Sequence, residues 1–229
     1  MFEPLTDSVS VCVSRAHTFG SDGLLLAGAA RRMAPEAETL CDMGTGCGIV
    51  PLALYAMGCR AAVTGIDIMP EAIDQFREGI RVSHAQNLTA VCGDLRDPSS
   101  LPSDSFDAVT ANPPYFRMGH GILPSDPARA AARYEVYCTP KDLCSTARRI
   151  TKAGGKLTVC YPPARLPHIL KAMEEEGFTP RSLQFVQQDG ESAPWLFLLM
   201  GQKGVGEELT LLPPILRRPN DPYEEVLTL

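Results

Sequence analysis

No apolar run in the sequence approaches the ~18 residues that a membrane-spanning helix needs, no two cysteines stand as C-x-x-C, and no segment repeats. A membrane-spanning helix and a repeat architecture are therefore not expected. The start, Met1-Phe2-Glu3-Pro4, has no basic stretch followed by an apolar one, so no secretory leader is expected and the chain is placed in the cytoplasm. Only four histidines occur (His17, His84, His120, His168), and they are scattered. No metal site is expected. The eight cysteines (Cys12, Cys41, Cys47, Cys59, Cys92, Cys138, Cys144, Cys160) are spread over 229 residues, a length that buries a core without staples, and they read as reduced thiols. Cys41, Cys92 and Cys160 lie in or beside apolar strand-like runs, where a free thiol behaves as a small hydrophobe.

What is present is an ordinary globular balance, with 45% apolar and 21% charged residues and a net charge of −6. The charge is unevenly placed. Residues 1–112 carry 7 basic and 14 acidic side chains, whereas residues 117–171 carry 10 basic and 3 acidic ones. A local basic surface is what contact with phosphates requires, whatever the total. Taken singly, Arg148, Arg149, Lys152 and Lys171 are as well explained as solvated outer faces of helices.

Short apolar runs alternate with helix-period segments, the pattern of an α/β chain with a largely parallel sheet. Seven strands are expected, at 39–43, 61–66, 88–92, 108–111, 157–161, 183–186 and 195–200. Ser21 or Asp22 offers a capping side chain ahead of Leu24, Leu25 and Leu26. Pro70 and Pro140 suit the first turns of two further helices, Gly154-Gly155 suits the end of the second, and 163–176 reads as another helix closed by Gly177. Residues 116–137 show no period, and a connection this long is usually functional. Pro213-Pro214 and Pro219 break the pattern near the C-terminus. The expected division is an N-terminal extension at 1–20, a core domain at 21–202 and a wrapped C-terminal extension at 203–229.

The chemistry concentrates at strand ends. Leu40-Cys41-Asp42-Met43-Gly44-Thr45-Gly46-Cys47-Gly48 is a strand ending in an acid, followed by three glycines at alternate positions and a helix. Such a backbone turns tightly beneath something bulky, and glycine blocks no ligand and tolerates positive φ. The spacing is G-x-G-x-G rather than the G-x-G-x-x-G of dinucleotide sites. An acid ahead of the loop suits a ligand carrying ammonium and sulfonium charge better than a pyrophosphate. Asp67 ends the next strand where a carboxylate accepts two hydrogen bonds from ribose hydroxyls, a contact that the fold itself would not need. Asp94, after Cys92-Gly93, is placed to accept a proton from an adenine amino group. For each acid alone, a turn or cap carboxylate is an adequate account; three in register after successive strands point to one ligand crevice.

Ala111-Asn112-Pro113-Pro114-Tyr115 follows the fourth strand. Two prolines hold the backbone extended and remove two amide donors, which leaves an acceptor site. The Asn112 side-chain oxygen and the Pro113 carbonyl suit both protons of an exocyclic amino group, and Tyr115 offers a face for stacking. The alternative is a plain turn initiated by asparagine.

In this order, D-M-G-T-G-C-G, I-D-I-M-P, G-D-L and N-P-P-Y resemble the class I S-adenosylmethionine-dependent methyltransferases that act on planar amino nitrogens. Thr18-Phe19-Gly20-Ser21-Asp22-Gly23-Leu24-Leu25-Leu26-Ala27, Ala132-Arg133-Tyr134-Glu135-Val136-Tyr137-Cys138 and Gly154-Gly155-Lys156 extend the resemblance to the valine-tRNA adenine-N(6) methyltransferase subfamily. The resemblance implies a Rossmann-like sheet of seven strands with helices on both faces. It implies S-adenosylmethionine contacts from Asp22, Asp42, Gly44, Gly46, Asp67, Ile68, Asp94 and Leu95, with Asn112, Pro113 and Tyr115 at the methyl group. A base in an RNA loop must be splayed out and stacked, here on Tyr115 and Phe116, with Arg117, Arg129 and Arg133 positioning phosphates. Phe116 is equally well accounted for by core packing. The partner is expected to be RNA, with tRNA first, and the chain a monomer or weak homodimer. A protein-glutamine methyltransferase ranks second, because N-P-P-Y serves that amide too; only about 20 residues precede the first helix, where such enzymes carry a helical domain. A DNA adenine methyltransferase and an inactive RNA- or cofactor-binding module follow.

Overall fold

The computed structural model describes residues 1–15, 17–113, 138–204, 206 and 208–218. In chain order the elements are β1 (Phe2–Pro4), β2 (Ser10–Cys12), α1 (Ser21–Met33), β3 (Thr39–Met43), α2 (Ile49–Ala56), β4 (Ala62–Asp67), α3 (Pro70–Val82), β5 (Leu88–Cys92) and β6 (Phe106–Ala111). Then come α4 (Pro140–Ile150), β7 (Thr151–Tyr161), a 3-10 turn (Pro163–Arg165), α5 (Leu166–Glu175), β8 (Phe178–Gln187), β9 (Leu196–Lys203) and β10 (Thr210–Leu216). β1 and β2 form a separate antiparallel hairpin. The other eight strands make one sheet in the order β10-β8-β9-β7-β6-β3-β4-β5. Every neighbouring pair is parallel except those of β9, which runs antiparallel to both β7 and β8.

Helices cover both faces because the strands are apolar on both sides, as buried parallel strands must be. Leu40, Ala108, Cys160 and Leu198 face one buried cluster, shared with the fully buried Leu24, Leu26 and Leu52 of α1 and α2. Their neighbours Cys41, Met43, Val109, Ala111, Val159 and Tyr161 face the other cluster, with Leu143 and Ala147 of α4 and Ile169 and Met173 of α5. Each such leucine taken from water contributes about 2 kcal/mol, enough that the two layers specify which way every strand faces. Leu5, Val9, Val11 and Val13 bring the N-terminal hairpin into the first cluster.

The local signals mostly act where the sequence places them. Pro70 opens α3, whose buried Ala72, Ile73, Phe76 and Gly79 fall on one stripe. Thr139 caps α4 through a reciprocal box with Asp142, and Gly177 turns the chain after α5 at φ +73°.

Three expectations need correction. The sheet has eight strands, not seven, because the C-terminal extension adds β10 in parallel to β8. Pro213 and Pro214 are tolerated there because β10 is an edge strand whose outer side needs no partner, and the register shifts between Leu212 and Ile215, where they sit. Helix α1 has Gly20 as its N-cap with no side-chain cap bond; the Asp22 carboxylate instead accepts from the N–H of Gly23 at 2.9 Å. Gly154-Gly155 does not follow a coil after α4. The helix passes directly into β7 at Thr151, and the glycines lie inside an irregularity of that strand, where the partners change from Phe106–Thr151 to Ala108–Lys156.

The chain runs outward from β3 through β4 to β5 and then returns to the opposite side of β3 as β6. The order reverses between β3 and β6, and in open α/β sheets the crevice outside the carboxyl ends of such a pair is the ligand site.

Candidate functional site

At the reversal, the chain leaving β3 turns through Gly44, Thr45, Gly46, Cys47 and Gly48 into α2. The N–H groups of Gly44 and Thr45 both donate to the carbonyl of Ile66, at 2.9 and 3.0 Å, which ties the loop to the end of β4. Gly44 and Gly46 have φ of +69° and +55°, and a Cβ at either would meet nothing within 4 Å. Their open sides are free to receive a ligand. Gly48 does different work: a Cβ there would lie 1.9 Å from the ring of Phe76, so this glycine lets α3 pack against the loop.

Asp67, at the end of β4, is bound to that loop. Its Oδ2 accepts from the N–H of Gly46 and its Oδ1 from that of Met69, both at 2.9 Å. Burial pushes its carboxyl above the usual range, while the two amide donors and nearby His17 pull it back. A carboxylate offers about four lone-pair directions, so two amides leave it capacity for hydroxyl donors. Ile68, next to it, is exposed.

Asp42 lies deeper, at 1% exposure, with the Thr110 hydroxyl of β6 donating to its Oδ1 at 2.6 Å. Burial pushes its carboxyl up to about 7; the Thr110 bond opposes this and the charge of Asp67 adds to it. A cation brought near would draw it back to the ionised form.

Asp94, expected to take an adenine amino proton, is engaged by Arg96. The guanidinium donates from Nε to Oδ1 at 3.0 Å and from Nη2 to Oδ2 at 2.6 Å, and the Arg96 N–H adds a bond to Oδ1 at 2.9 Å. This pairing holds its carboxyl below the usual range. The carbonyl of Leu95 accepts from the Thr146 hydroxyl of α4, which anchors the segment.

Asn112 follows β6 beside the end of β7. The register pairs Ala111 with Val159, so the next residues along, Asn112 and Cys160, fall side by side. The Cys160 thiol donates to Oδ1 of Asn112 at 3.1 Å. Pro113 is buried. Tyr115, Phe116, Arg117, Arg129 and Arg133, together with the rest of 114–137, lie outside the described residues.

Asp42, Gly44, Gly46, Asp67 and Asn112 thus gather at the carboxyl ends of β3, β4 and β6; Asp94 sits one strand further out, and Asp22 in the first turn of α1. Sequence reasoning missed three participants: Thr110, His17 and Cys160. The alternation of β6 places Thr110 on the face of Asn112, which is a usable signal. Cys160 looked like a packing thiol. Among the described basic residues of 138–171, three are committed within the fold. Arg149 donates to the carbonyls of Pro98 and Leu101, Lys152 pairs with Asp107 at 2.7 Å, and Lys156 donates to the Met33 carbonyl. Among the described residues, no group of three or more His, Cys, Asp or Glu side chains is placed to hold a metal, and no helix is long and apolar enough to cross a membrane.

Residues 35–198 match the family model described as a methyltransferase domain. A tRNA1(Val) (adenine(37)-N6)-methyltransferase from Aeromonas salmonicida is 33% identical over 156 residues, covering 66% of this chain and 62% of that protein. The chain therefore aligns with less than two thirds of that relative's length. A release factor glutamine methyltransferase from Aliivibrio fischeri is 32% identical over 83 residues, covering 36% of this chain and 29% of that one. Among solved structures, one described as a predicted O-methyltransferase from Agrobacterium tumefaciens superposes with a TM-score of 0.69 at 20% identity, covering 90% of this chain and 96% of that one.

Proposed function

The chain belongs to the methyltransferase domain family, with the α/β fold of S-adenosylmethionine-dependent methyltransferases, and we propose that it methylates an exocyclic amino nitrogen, N(6) of an adenine in tRNA. The observation that carries this reading is the position of Asn112. It stands at the reversal of strand order, beside a glycine loop whose ligand side is open. Both the small-molecule cradle and the acceptor for an amino group meet in one crevice.

The residues present fit S-adenosylmethionine. Gly44 and Gly46 leave room above the loop, Asp67 presents a carboxylate at its edge, and the buried Asp42 beneath favours a cationic ligand. Asp22, Ile68, Asp94 and Leu95 complete the cofactor contacts in this reading. When bound, the cofactor supplies an electrophilic methyl group on a sulfonium. Asn112 Oδ1 and the Pro113 carbonyl accept the two amino protons of the target, which localises the nitrogen lone pair for attack. Tyr115 and Phe116 stack the splayed base, and Arg117, Arg129 and Arg133 hold phosphates. No covalent enzyme intermediate is required, since orientation of the two reactants lowers the barrier. Residues 21–202 form the catalytic domain in this reading, with the N-terminal hairpin and β10 packed against it. The reaction is cytoplasmic and metal-independent, and the enzyme is a monomer or weak homodimer.

A second reading, methylation of a protein glutamine amide, is favoured by the 83-residue similarity to the release factor enzyme. Transfer of labelled methyl to bulk tRNA and to protein extract, with and without Asn112→Ala, separates the two. Transfer to tRNA that is lost in the variant supports the proposal. Transfer to protein alone selects the glutamine reading, and RNA binding with no transfer leaves a binding module.

A further inference from the structure

A carboxamide is nearly symmetric in shape, yet only its oxygen can accept a substrate proton; an amide turned by half a rotation presents two donors and repels the amino group. Something must decide which end faces the crevice. In this chain one neighbour that touches the amide is Cys160, fully buried on β7, with Sγ 3.1 Å from Asn112 Oδ1. A thiol is a weak donor and a weaker acceptor, so its proton favours the oxygen end. The carbonyl oxygen has two lone pairs, and accepting from the thiol does not preclude accepting from a substrate.

Other features hold the pair in place. Val159 and Tyr161, on either side of Cys160, are buried in the opposite layer, so the strand cannot rotate the thiol away without exposing them. Cys160 itself packs in the layer of α1 and α2. At the far end of this contact, Asn112 leads into Pro113, whose ring restricts the asparagine backbone to extended conformations. The amide is thereby fixed at its backbone by proline and at its tip by sulfur.

We propose that Cys160 is a positioning residue for methyl transfer, setting the orientation of the Asn112 carboxamide through its S–H···O bond. The proposal rests on the amino-methyltransferase reading for its consequence, but the bond itself can be measured without substrate.

The test uses the full chain with Cys160→Val, which keeps the site apolar and removes the donor, and Cys160→Ser, which keeps a donor. Single-turnover transfer is measured to an adenine-containing tRNA and to a glutamine-containing peptide, beside cofactor affinity. In Cys160→Val the rate on whichever substrate is methylated falls about five- to tenfold, the worth of one hydrogen bond, with cofactor affinity unchanged within about twofold. Cys160→Ser recovers most of the rate. Infrared spectra give the second arm: the S–H stretch lost in Cys160→Val is that of a hydrogen-bonded thiol, and it moves to higher frequency in Asn112→Ala. Full activity in Cys160→Val, a Cys160→Ser variant as slow as Cys160→Val, or a stretch that does not move in Asn112→Ala overturns the proposal. If the wild type methylates neither substrate, the functional reading fails and with it the catalytic consequence, while the infrared arm still decides whether the S–H···O bond to Asn112 exists.

Discussion

The N–H of Gly46 donates to Oδ2 of Asp67 at 2.9 Å, so the acid at the end of β4 holds the glycine loop at the end of β3. A residue expected to serve only a ligand therefore also shapes the loop that would receive it.

Asp67→Ala is expected to do two things. It weakens cofactor binding at least tenfold, and by orphaning the amides of Gly46 and Met69 it lowers unfolding stability by about 1–3 kcal/mol. Asp67→Asn, which keeps one carbonyl oxygen, loses less stability. Calorimetric titration and urea denaturation of both variants check this; an Asp67→Ala protein as stable as wild type refutes the double role.

Asp42 makes the protein sensitive to pH. Its folded carboxyl is raised from 3.8 to about 7, so its stabilising contribution is complete below pH 3.8 and is lost as pH rises through 7. Asp42→Asn is expected to lose this pH dependence, so its melting temperature relative to wild type rises between pH 5 and pH 8. A cationic ligand favours the ionised form, so cofactor affinity rises between about pH 6 and pH 8, and binding releases a proton at the lower pH. Titration in two buffers of different ionisation heat reads that proton directly.

The glycines of the loop separate by function. Gly46→Ala places a methyl in open space at φ +55°, costing about 1 kcal/mol while obstructing the ligand side. Gly48→Ala drives a methyl into Phe76, and costs several kcal/mol, as forced overpacking does. Melting curves and cofactor titrations should rank the two variants in opposite order; the same order in both would show that the loop has no ligand face.

Arg96→Ala releases Asp94 from its guanidinium partner. An exposed pair of this kind adds little stability, so the melting temperature barely moves. If Asp94 serves the cofactor, affinity tightens by about threefold, because binding no longer competes with Arg96. A weakened complex would instead make Arg96 itself a cofactor contact.

Trp195, the only tryptophan in the sequence, donates from Nε1 to the carbonyl of Arg217 at 2.9 Å, just past β10. Truncation before Thr210 is expected to shift tryptophan emission to the red and lower the melting temperature, because the apolar edge of β8 loses Leu212 and Ile215. Unchanged emission would mean that β10 does not dock in solution.

Much of this molecule was determined by local sequence. Runs such as Thr39–Met43 are strands because they are short, mostly apolar and end at a glycine; Pro70 and Pro140 open helices because proline costs nothing in a first turn; Gly44 and Gly46 mark a tight loop because only glycine adopts that backbone cheaply. Tertiary structure decided the rest, since those outcomes depend on which distant segments become neighbours. Two prolines at 213 and 214 argue against a strand until the segment lies on an edge, where the missing donors need no partner. Asp67 reaches the amide of Gly46 only once β4 lies beside β3, and Cys160 meets Asn112 only once β7 pairs with β6 in one particular register. A thiol in an apolar run has the same sequence appearance whether it merely fills space or aims an amide, and the difference is one hydrogen bond across strands 48 residues apart in the chain.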